Sequence, residues 1–279
     1  MDLEKCTGCG VCSQYCPVKV PDHYNQNLSD KRAIDIQYIQ AVPAVYYVDP
    51  NHCLFINRQE CKQCEKACQA GAIDFDQKPE ETLLKVGAVI LATGFKNINP
   101  ASLTDYKYLE SPNVLTGTEF ERVSCASGPY LGKISRPSDL RKPQKVALIQ
   151  CAGSRQSTGG NSYCSSVCCK YAVKDAIVAL EHEPDLDITI FFMDMRMYGK
   201  GLDEFYRRAK GAGIKFVRSR ISEVRRDPDT EDMTIKYVTE GGDLLEETFN
   251  LVVLPTGLEP SEGSYQLSRA ADISLNSHG

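Results

Sequence analysis

The chain has 279 residues, 42% of them apolar, and carries a formal charge of −5. This composition indicates a folded globular protein, and the negative charge argues against nucleic acid as a partner, because phosphates require a basic surface. We expect no membrane span, since no stretch approaches the roughly 20 apolar residues that one needs. No targeting pattern opens the chain, so we expect a cytoplasmic location. The thirteen cysteines are then expected to be metal ligands rather than disulfides.

The first part of the chain contains two groups of four cysteines with the spacing of bacterial ferredoxins. In such ferredoxins the fourth cysteine of each run ligates the other cluster, so the pattern predicts two [4Fe-4S] clusters with crossed ligands. One set is Cys6, Cys9, Cys12 and Cys68, and the other is Cys53, Cys61, Cys64 and Cys16. A pair of structural zinc sites is the alternative, but zinc gives no reason for three thiols spaced two residues apart.

Residues 17–52 separate these two cysteine groups and lengthen the compact ferredoxin pattern. The insertion could cover a cluster, contact a partner or be a plain surface excursion. The sequence favours none of these interpretations.

A third cysteine group lies between a predicted strand at 145–150 and a predicted helix at 168–180. Its members are Cys151, Cys164, Cys168 and Cys169. In a dinucleotide-binding unit this turn carries the phosphate-binding fingerprint G-x-G-x-x-G, which is absent here. A helix N-terminus lowers thiol pKa values, which suits a metal cluster better than a phosphate. Adjacent cysteines are also common as small buried residues, and the residues alone leave both interpretations open. Cys125 has no obvious partner and is expected to be a free thiol.

Beyond residue 80 the pattern alternates between strands and helices, as in an open α/β fold. A predicted apolar strand at 85–95 ends in Ala92, Thr93 and Gly94, and residues 250–260 repeat this ending with Thr256 and Gly257. Such ends suggest strands that pass beneath a nucleotide or a flavin. The remaining predicted elements are strands at 188–193 and 214–218, a helix at 202–210, and a hairpin formed by 233–238 and 244–249.

Several motifs resemble the family formed by the A subunits of heterodisulfide reductase. They begin at Cys16 (CPVKVP), Pro43 (PAVYY), Ile90 (ILATGF), Gln150 (QCAGSR) and Tyr198 (YGKG). The resemblance implies an α/β thioredoxin-reductase-like flavoprotein with two dinucleotide-binding domains, truncated at both ends, and an inserted α+β ferredoxin domain. The implied divisions are a ferredoxin domain at 1–79, part of an FAD-binding domain at 80–140, a second Rossmann-like domain with a [4Fe-4S] site at 141–260, and a return segment at 261–279.

The same resemblance implies that the third cysteine group ligates a [4Fe-4S] cluster beside FAD. Lys170 and Lys174 share a face of the predicted helix that follows these cysteines, and a cation near the flavin stabilises its reduced form. We expect this role for Lys174, the one catalytic assignment, while a solvent-facing pair is the alternative. The implied FAD-binding residues are Ala92, Thr93, Gly94, Gly153, Ser154, Lys174, Thr256 and Gly257. No upstream FAD fingerprint is present in this sequence, so FAD binding by this chain alone is an open question.

The function implied by the resemblance is electron transfer between FAD and three [4Fe-4S] clusters, with flavin-based electron bifurcation. Expected partners are other subunits of a heterodisulfide-reductase-like complex, a hydrogenase or dehydrogenase as electron donor, and a ferredoxin as acceptor. Three alternatives stay open: an NAD(P)H-dependent oxidoreductase related to the glutamate synthase small subunit, a ferredoxin-type wiring module without flavin, and a zinc-stabilised interaction protein.

Overall fold

The computed structural model describes residues 1–157 and 160–279, which form two compact units, Met1–Val89 and Ile90–Gly279. Within these described ranges no helix is both long and apolar enough to cross a bilayer. The division falls ten residues beyond the boundary expected near residue 80, and the four-part domain scheme stays a prediction.

Unit 1 is built from very short elements around its cysteines. The helices are α1 (Val11–Tyr15), α2 (Leu54–Arg58) and α3 (Gln63–Ala67). The strands form two antiparallel pairs, β1 (Lys19–Pro21) with β2 (Asp30–Arg32) and β3 (Ile34–Asp35) with β4 (Tyr47–Val48). The core is correspondingly small, with Cys12, Ile34, Cys64 and Ile73 at its centre. Helices of five residues are unstable on their own in water, so this unit depends on interactions that its cysteines make.

Unit 2 contains a five-stranded parallel sheet. Its order is β6 (Val114–Thr116), β13 (Leu251–Leu254), β7 (Lys145–Ile149), β8 (Asp187–Phe192) and β9 (Lys215–Arg218). The central strands β7 and β13 read KVALI and LVVL, because a parallel strand covered on both faces needs apolar residues throughout. Helices α4 (Gly117–Ser124), α5 (Cys168–His182) and α6 (Leu202–Gly211) each follow a strand of this sheet.

The rest of unit 2 is antiparallel. Strands β10 (Glu223–Arg226), β11 (Met233–Val238) and β12 (Leu244–Phe249) form a three-stranded sheet, and β5 (Phe95–Asn97) pairs with β14 (Leu258–Pro260). The final helix is α7 (Ser264–Ala270). Buried residues of β11, including Met233 and Ile235, pack in one core with residues of the parallel sheet.

The predicted elements between residues 145 and 254 are confirmed to within one or two residues at each end. The predicted strand at 85–95 is wrong over almost its whole length. Only Phe95 of it joins a strand, and Ile90 is 91% exposed. An apolar strand is stable where neighbouring strands take up its backbone hydrogen bonds, and the described residues offer 85–94 no such neighbour.

Helix α4 gives a direct test of the fold around β6. The Thr116 side chain accepts a hydrogen bond from the Glu119 amide at 3.2 Å, and the Glu119 carboxylate accepts one from the Thr116 amide, which is a complete capping box. Thr116→Ala is expected to lower the free energy of unfolding by about 1–2 kcal/mol, measured by urea titration. Thr234→Ala is the matched control, because the Thr234 hydroxyl contacts only the Thr248 hydroxyl. An equal effect in both variants would contradict the capping role.

Candidate iron–sulfur sites

The first set of thiols converges at the start of α1. Cys12 lies in this helix and is 8% exposed, and burial raises the pKa of its thiol to about 11. Cys64, Cys6 and Cys68 are all close enough for their charges to add to this rise, so Cys12 lies near thiols of both predicted sets. Cys9 is exposed, and the backbone amide of Val11 lowers the pKa of its thiol. Cys68, from the second cysteine run, therefore lies beside the first run.

The second set converges around a cavity. Burial raises the pKa of the Cys64 thiol to about 11, and the charges of Cys16, Cys53 and Cys61 raise it further. These four cysteines line one small cavity, together with apolar side chains such as Phe75. Cys16 reaches this cavity because it directly follows the last residue of α1.

The crossed arrangement stays a prediction, and the nearness of Cys68 to Cys12 and of Cys16 to Cys64 is compatible with it. Each set has four thiols, three from one run and one from the other, and this donor set fits a [4Fe-4S] cubane, whose four irons each take one thiolate. Across the described part of the chain, no three His, Cys, Asp or Glu side chains are placed to hold a single metal ion. A cubane does not require such a placement, because its ligands bind different irons.

The third set of thiols lies where the sheet of unit 2 meets α5. Cys151 follows β7 with a left-handed backbone, φ 62°, and Cys168 and Cys169 are the first two residues of α5. Burial raises the pKa of the Cys151 thiol, and the charges of Cys169 and Cys164 add to this effect. All four predicted ligands therefore lie close together, at the position of the phosphate-binding turn in a dinucleotide fold.

Within this set the two adjacent cysteines differ. The hydrogen bond between them lowers the pKa of the Cys169 thiol and raises that of Cys168. The backbone of Arg196 and the charges of Arg196 and Arg155 also favour the Cys169 thiolate. Arg155 pairs with Asp194 at 2.8 Å. A negatively charged group at this site would therefore meet two cations and the amino end of a helix.

Gln150 was not predicted as a site residue. It is 6% exposed, and neither its side-chain oxygen nor its side-chain nitrogen has a hydrogen-bond partner among the described residues. It lines a small cavity with Cys151 and Tyr106. A buried amide without a partner costs free energy, so this residue fits a site where a bound group completes its hydrogen bonds. The feature of the sequence that could have revealed Gln150 is its position, because it is a polar residue between a buried strand and a cysteine.

Four of the predicted FAD-binding residues lie beside the third set of thiols. Ala152 forms a β-bridge with Thr256, which draws Gly153 and Ser154 toward the end of β13. A Cβ atom on Gly257 would lie 1.9 Å from the Ser165 hydroxyl and 2.5 Å from that of Ser154. The missing side chain of Gly257 therefore makes room for the cysteine loop. The Thr256 hydroxyl is buried without a partner among the described residues.

The other predicted FAD contacts do not form a cradle. Ala92, Thr93 and Gly94 are exposed and lie outside any strand, and the Thr93 hydroxyl lies 3.4 Å from the Ser264 hydroxyl. The described residues alone therefore do not enclose a flavin.

Lys174 lies on α5, where its ammonium group pairs with Glu121 at 2.9 Å and with Asp175 at 2.8 Å. Asp175 is buried, and one of its carboxylate oxygens has no partner among the described residues. Burial raises the pKa of Asp175 to about 7, against the opposing effect of Lys174. The Lys174 ammonium group is thus paired with two carboxylates, and 40% of the side chain is exposed.

Cys125 is the one cysteine outside the three predicted sets. It follows α4, and its thiol lies 3.3 Å from the Ser127 hydroxyl. This hydrogen bond lowers the pKa of its thiol. Arg122 also lowers the pKa of this thiol, and the assignment of Cys125 as a free thiol stays a prediction.

The geometry and the family comparison together define a class of protein: a [4Fe-4S] protein with a ferredoxin-type module and a Rossmann-like α/β unit. The sequence family described as "4Fe-4S binding domain" matches residues 1–22. The chain is 40% identical over 280 residues to the A subunit of the "H(2):CoB-CoM heterodisulfide,ferredoxin reductase" of Methanothermobacter marburgensis, covering 100% of the chain and 42% of that protein. It is also 40% identical over 281 residues to the iron-sulfur A subunit of the "CoB--CoM heterodisulfide reductase" of Methanocaldococcus jannaschii, covering 100% of the chain and 42% of that protein.

The chain belongs to the family formed by the A subunits of heterodisulfide reductase. It spans about two fifths of the length of these curated relatives. Among solved structures it is similar to the thioredoxin reductase of Lactococcus lactis, with a TM-score of 0.36 and 17% identity over 60% of this chain and 44% of that one. The topology described above, rather than this match, supports the α/β assignment.

The crossed thiol sets predict which variants share a phenotype. Cys16→Ala and Cys61→Ala are expected to remove the same cluster signal from the electron paramagnetic resonance (EPR) spectrum, while Cys68→Ala and Cys9→Ala remove the other, because one missing thiolate destabilises its own cubane. Spectra of the four anaerobically prepared full chains test this pairing. If Cys16→Ala instead removes the EPR signal that Cys9→Ala removes, the pairing is contradicted.

Proposed function

We propose that this chain carries electrons through three [4Fe-4S] clusters, as part of a flavin-dependent oxidoreductase whose polypeptide extends beyond it. The observation that carries this proposal is the convergence of twelve of the thirteen cysteines into three sets of four thiols. Two sets lie in unit 1 and one lies in unit 2.

When bound, each cluster exchanges single electrons and FAD exchanges them in pairs or singly. The chain's own residues would supply the ligands and set the electrostatics. Cys12 and Cys64 are the buried thiols of the two ferredoxin sets and would shield those clusters from water. In the third set, Arg155 and Arg196 would offset negative charge beside Cys169. Cluster potentials depend on net charge, hydrogen bonds and exposure, so the three sites would differ in potential.

FAD binding belongs to the longer polypeptide in this proposal. Gly153, Ser154, Thr256 and Gly257 would lie at its edge, since they surround the third thiol set. Lys174 would supply the positive charge that favours reduced flavin. Its two carboxylate partners fix the ammonium group on α5 but offset its charge, so the pairing by itself counts against this role.

The finer proposal is that the whole protein divides electron pairs between two routes, in a complex with a hydrogenase or dehydrogenase as donor and a ferredoxin as one acceptor. The names of similar proteins support it: the relative from Methanothermobacter marburgensis is a heterodisulfide and ferredoxin reductase with H(2) in its name, and one from Methanococcus maripaludis carries "H(2)/formate". Two ferredoxin-type sites and a third site with different surroundings would hold clusters of different reduction potential. This difference supports two electron routes of unequal driving force.

An NAD(P)H-dependent oxidoreductase is the second enzyme candidate. A dinucleotide would need glycines and free amides at the turn after β7, and this turn holds Cys151 instead, with Cys168 and Cys169 opening α5.

A wiring module without flavin is favoured by a different observation: residues 85–94 are exposed and pair with no strand of the described residues. Stoichiometric FAD in the anaerobically purified longer polypeptide would exclude the wiring module.

The proposal predicts the metal content of the anaerobically prepared chain. Three cubanes require about twelve irons and about twelve acid-labile sulfides per chain, measured by metal analysis and sulfide release. Zinc in place of iron would contradict the proposal. About eight irons per chain would mean that the third set of thiols holds no cluster.

Cys168→Ser tests the third site separately. We expect it to lose about four irons, because serine is a poor ligand for a cubane, while the two ferredoxin EPR signals stay unchanged. Cys125→Ser is the matched control and is expected to keep the full iron content, since its thiol lies beside Ser127 and Arg122 and belongs to none of the three predicted sets. Unchanged iron in the Cys168→Ser protein would contradict the assignment.

A further inference from the structure

The insertion at 17–52 returns to the first set of thiols through residues 43–46. Gly8 and Gly10, which separate the cysteines of this run, both have left-handed backbones, with φ 70° and 77°. A Cβ atom on Gly8 would lie 2.6 Å from the Ala44 carbonyl oxygen, and one on Gly10 would lie 2.7 Å from the Tyr46 hydroxyl. The two glycines therefore let the insertion sit directly on the backbone of the cysteine turn.

The Tyr46 hydroxyl is left free by this packing. Among the described residues none exchanges a hydrogen bond with it. Its ring packs against the core that contains Cys12. Burial raises the pKa of Tyr46, and the charges of Asp35, Cys12, Cys9 and Cys6 add to that rise. Three thiols of one set thus lie near a hydroxyl that has a proton to donate.

The nearby carboxylate does not compete for that proton. One oxygen of Asp35 accepts hydrogen bonds from the Ser13 hydroxyl at 3.0 Å and from the Arg32 amide at 3.1 Å. The other accepts one from the Ile36 amide at 2.8 Å. Asp35 is therefore engaged in holding residues 32–36 against α1, and the sulfur atoms are the acceptors that we assign to Tyr46.

We propose that the Tyr46 hydroxyl donates a hydrogen bond to a sulfur of the cluster held by Cys6, Cys9, Cys12 and Cys68, and so raises the reduction potential of that cluster. Reduction adds negative charge to the sulfurs, and a hydrogen bond to a more negative acceptor is stronger. The hydrogen bond therefore stabilises the reduced form more than the oxidised form. This inference rests on the proposed function, because it needs the first cluster to be present.

Tyr46→Phe in the full chain removes the hydroxyl and keeps the ring. Anaerobic redox titration followed by EPR is expected to show a ratio of reduced to oxidised first cluster about fivefold lower at a fixed potential, given a difference of about 1 kcal/mol between hydrogen bonds to more and less charged acceptors. A fivefold change corresponds to about 40 mV for a one-electron couple. The signal removed by Cys9→Ala identifies the first cluster.

Tyr47→Phe is the matched control. Tyr47 is the next residue, and its hydroxyl accepts a hydrogen bond from the Lys31 ammonium group at 2.7 Å instead of facing the thiols. We expect this variant to leave the potential of the first cluster unchanged, and we expect the second cluster to keep its potential in both variants.

Three outcomes would overturn the inference. The first is an unchanged potential in a Tyr46→Phe protein with full iron content, and the second is an equal shift in the Tyr47→Phe protein. The third is loss of about four irons in Tyr46→Phe alone, which would make the tyrosine a structural residue. Wild-type chain without iron would instead overturn the proposed function. An exchangeable deuteron coupled to the first cluster in pulsed electron–nuclear double resonance (ENDOR), present in wild type and absent in Tyr46→Phe, would support the hydrogen bond directly.

Discussion

Gathering four thiolates around one compact acceptor is the constraint on which this structure depends. Sulfurs brought together in this way repel one another once charged, and burial raises the pKa values of Cys12 and Cys64 to about 11. The arrangement is therefore costly without a bound cation or cluster, because metal binding requires deprotonated thiols and supplies the energy to form them. The helices of unit 1 have only five residues each, so they depend on packing against the rest of the unit.

The crossing of the two cysteine runs follows from the same constraint. Cys16 ends one run and lines the cavity of the other set, while Cys68 ends the second run and lies close enough to Cys12 for its charge to raise the pKa of that thiol. Each cluster would therefore tie residues near the start of the chain to residues some fifty positions later. The insertion between them adds a further contact, since Ala44 and Tyr46 rest on Gly8 and Gly10. In our proposal this contact is electronic as well as structural.

In unit 2 a thiol set takes the place that the phosphate-binding turn occupies in a dinucleotide fold. The sheet, the following helix and the position at the strand ends are all kept, while Cys151 and the first residues of α5 replace the glycines. The helix end and the cations Arg155 and Arg196 favour negative charge there. The position that binds a phosphate in a dinucleotide fold thus has electrostatics that also suit a negatively charged cluster.

Much of this could be predicted from the sequence. Hydrophobic periodicity located the strands and helices of the α/β unit, since each is long enough to bury an apolar face. Cysteine spacing indicated the two ferredoxin-type thiol sets, and the family resemblance indicated the third. The strand at 85–95 was predicted wrongly because apolar composition does not show whether neighbouring strands are present. Gln150 and Tyr46 were missed as site residues because their importance depends on unpaired polar atoms facing thiols, which spacing does not reveal.

X-ray anomalous diffraction at the iron absorption edge, from crystals of the anaerobically prepared chain, tests the central claim most directly. The account predicts three compact iron peaks, one among Cys6, Cys9, Cys12 and Cys68, one among Cys53, Cys61, Cys64 and Cys16, and one among Cys151, Cys164, Cys168 and Cys169. Peaks at the zinc edge, or iron peaks that leave Cys16 and Cys68 with their own runs, would contradict it.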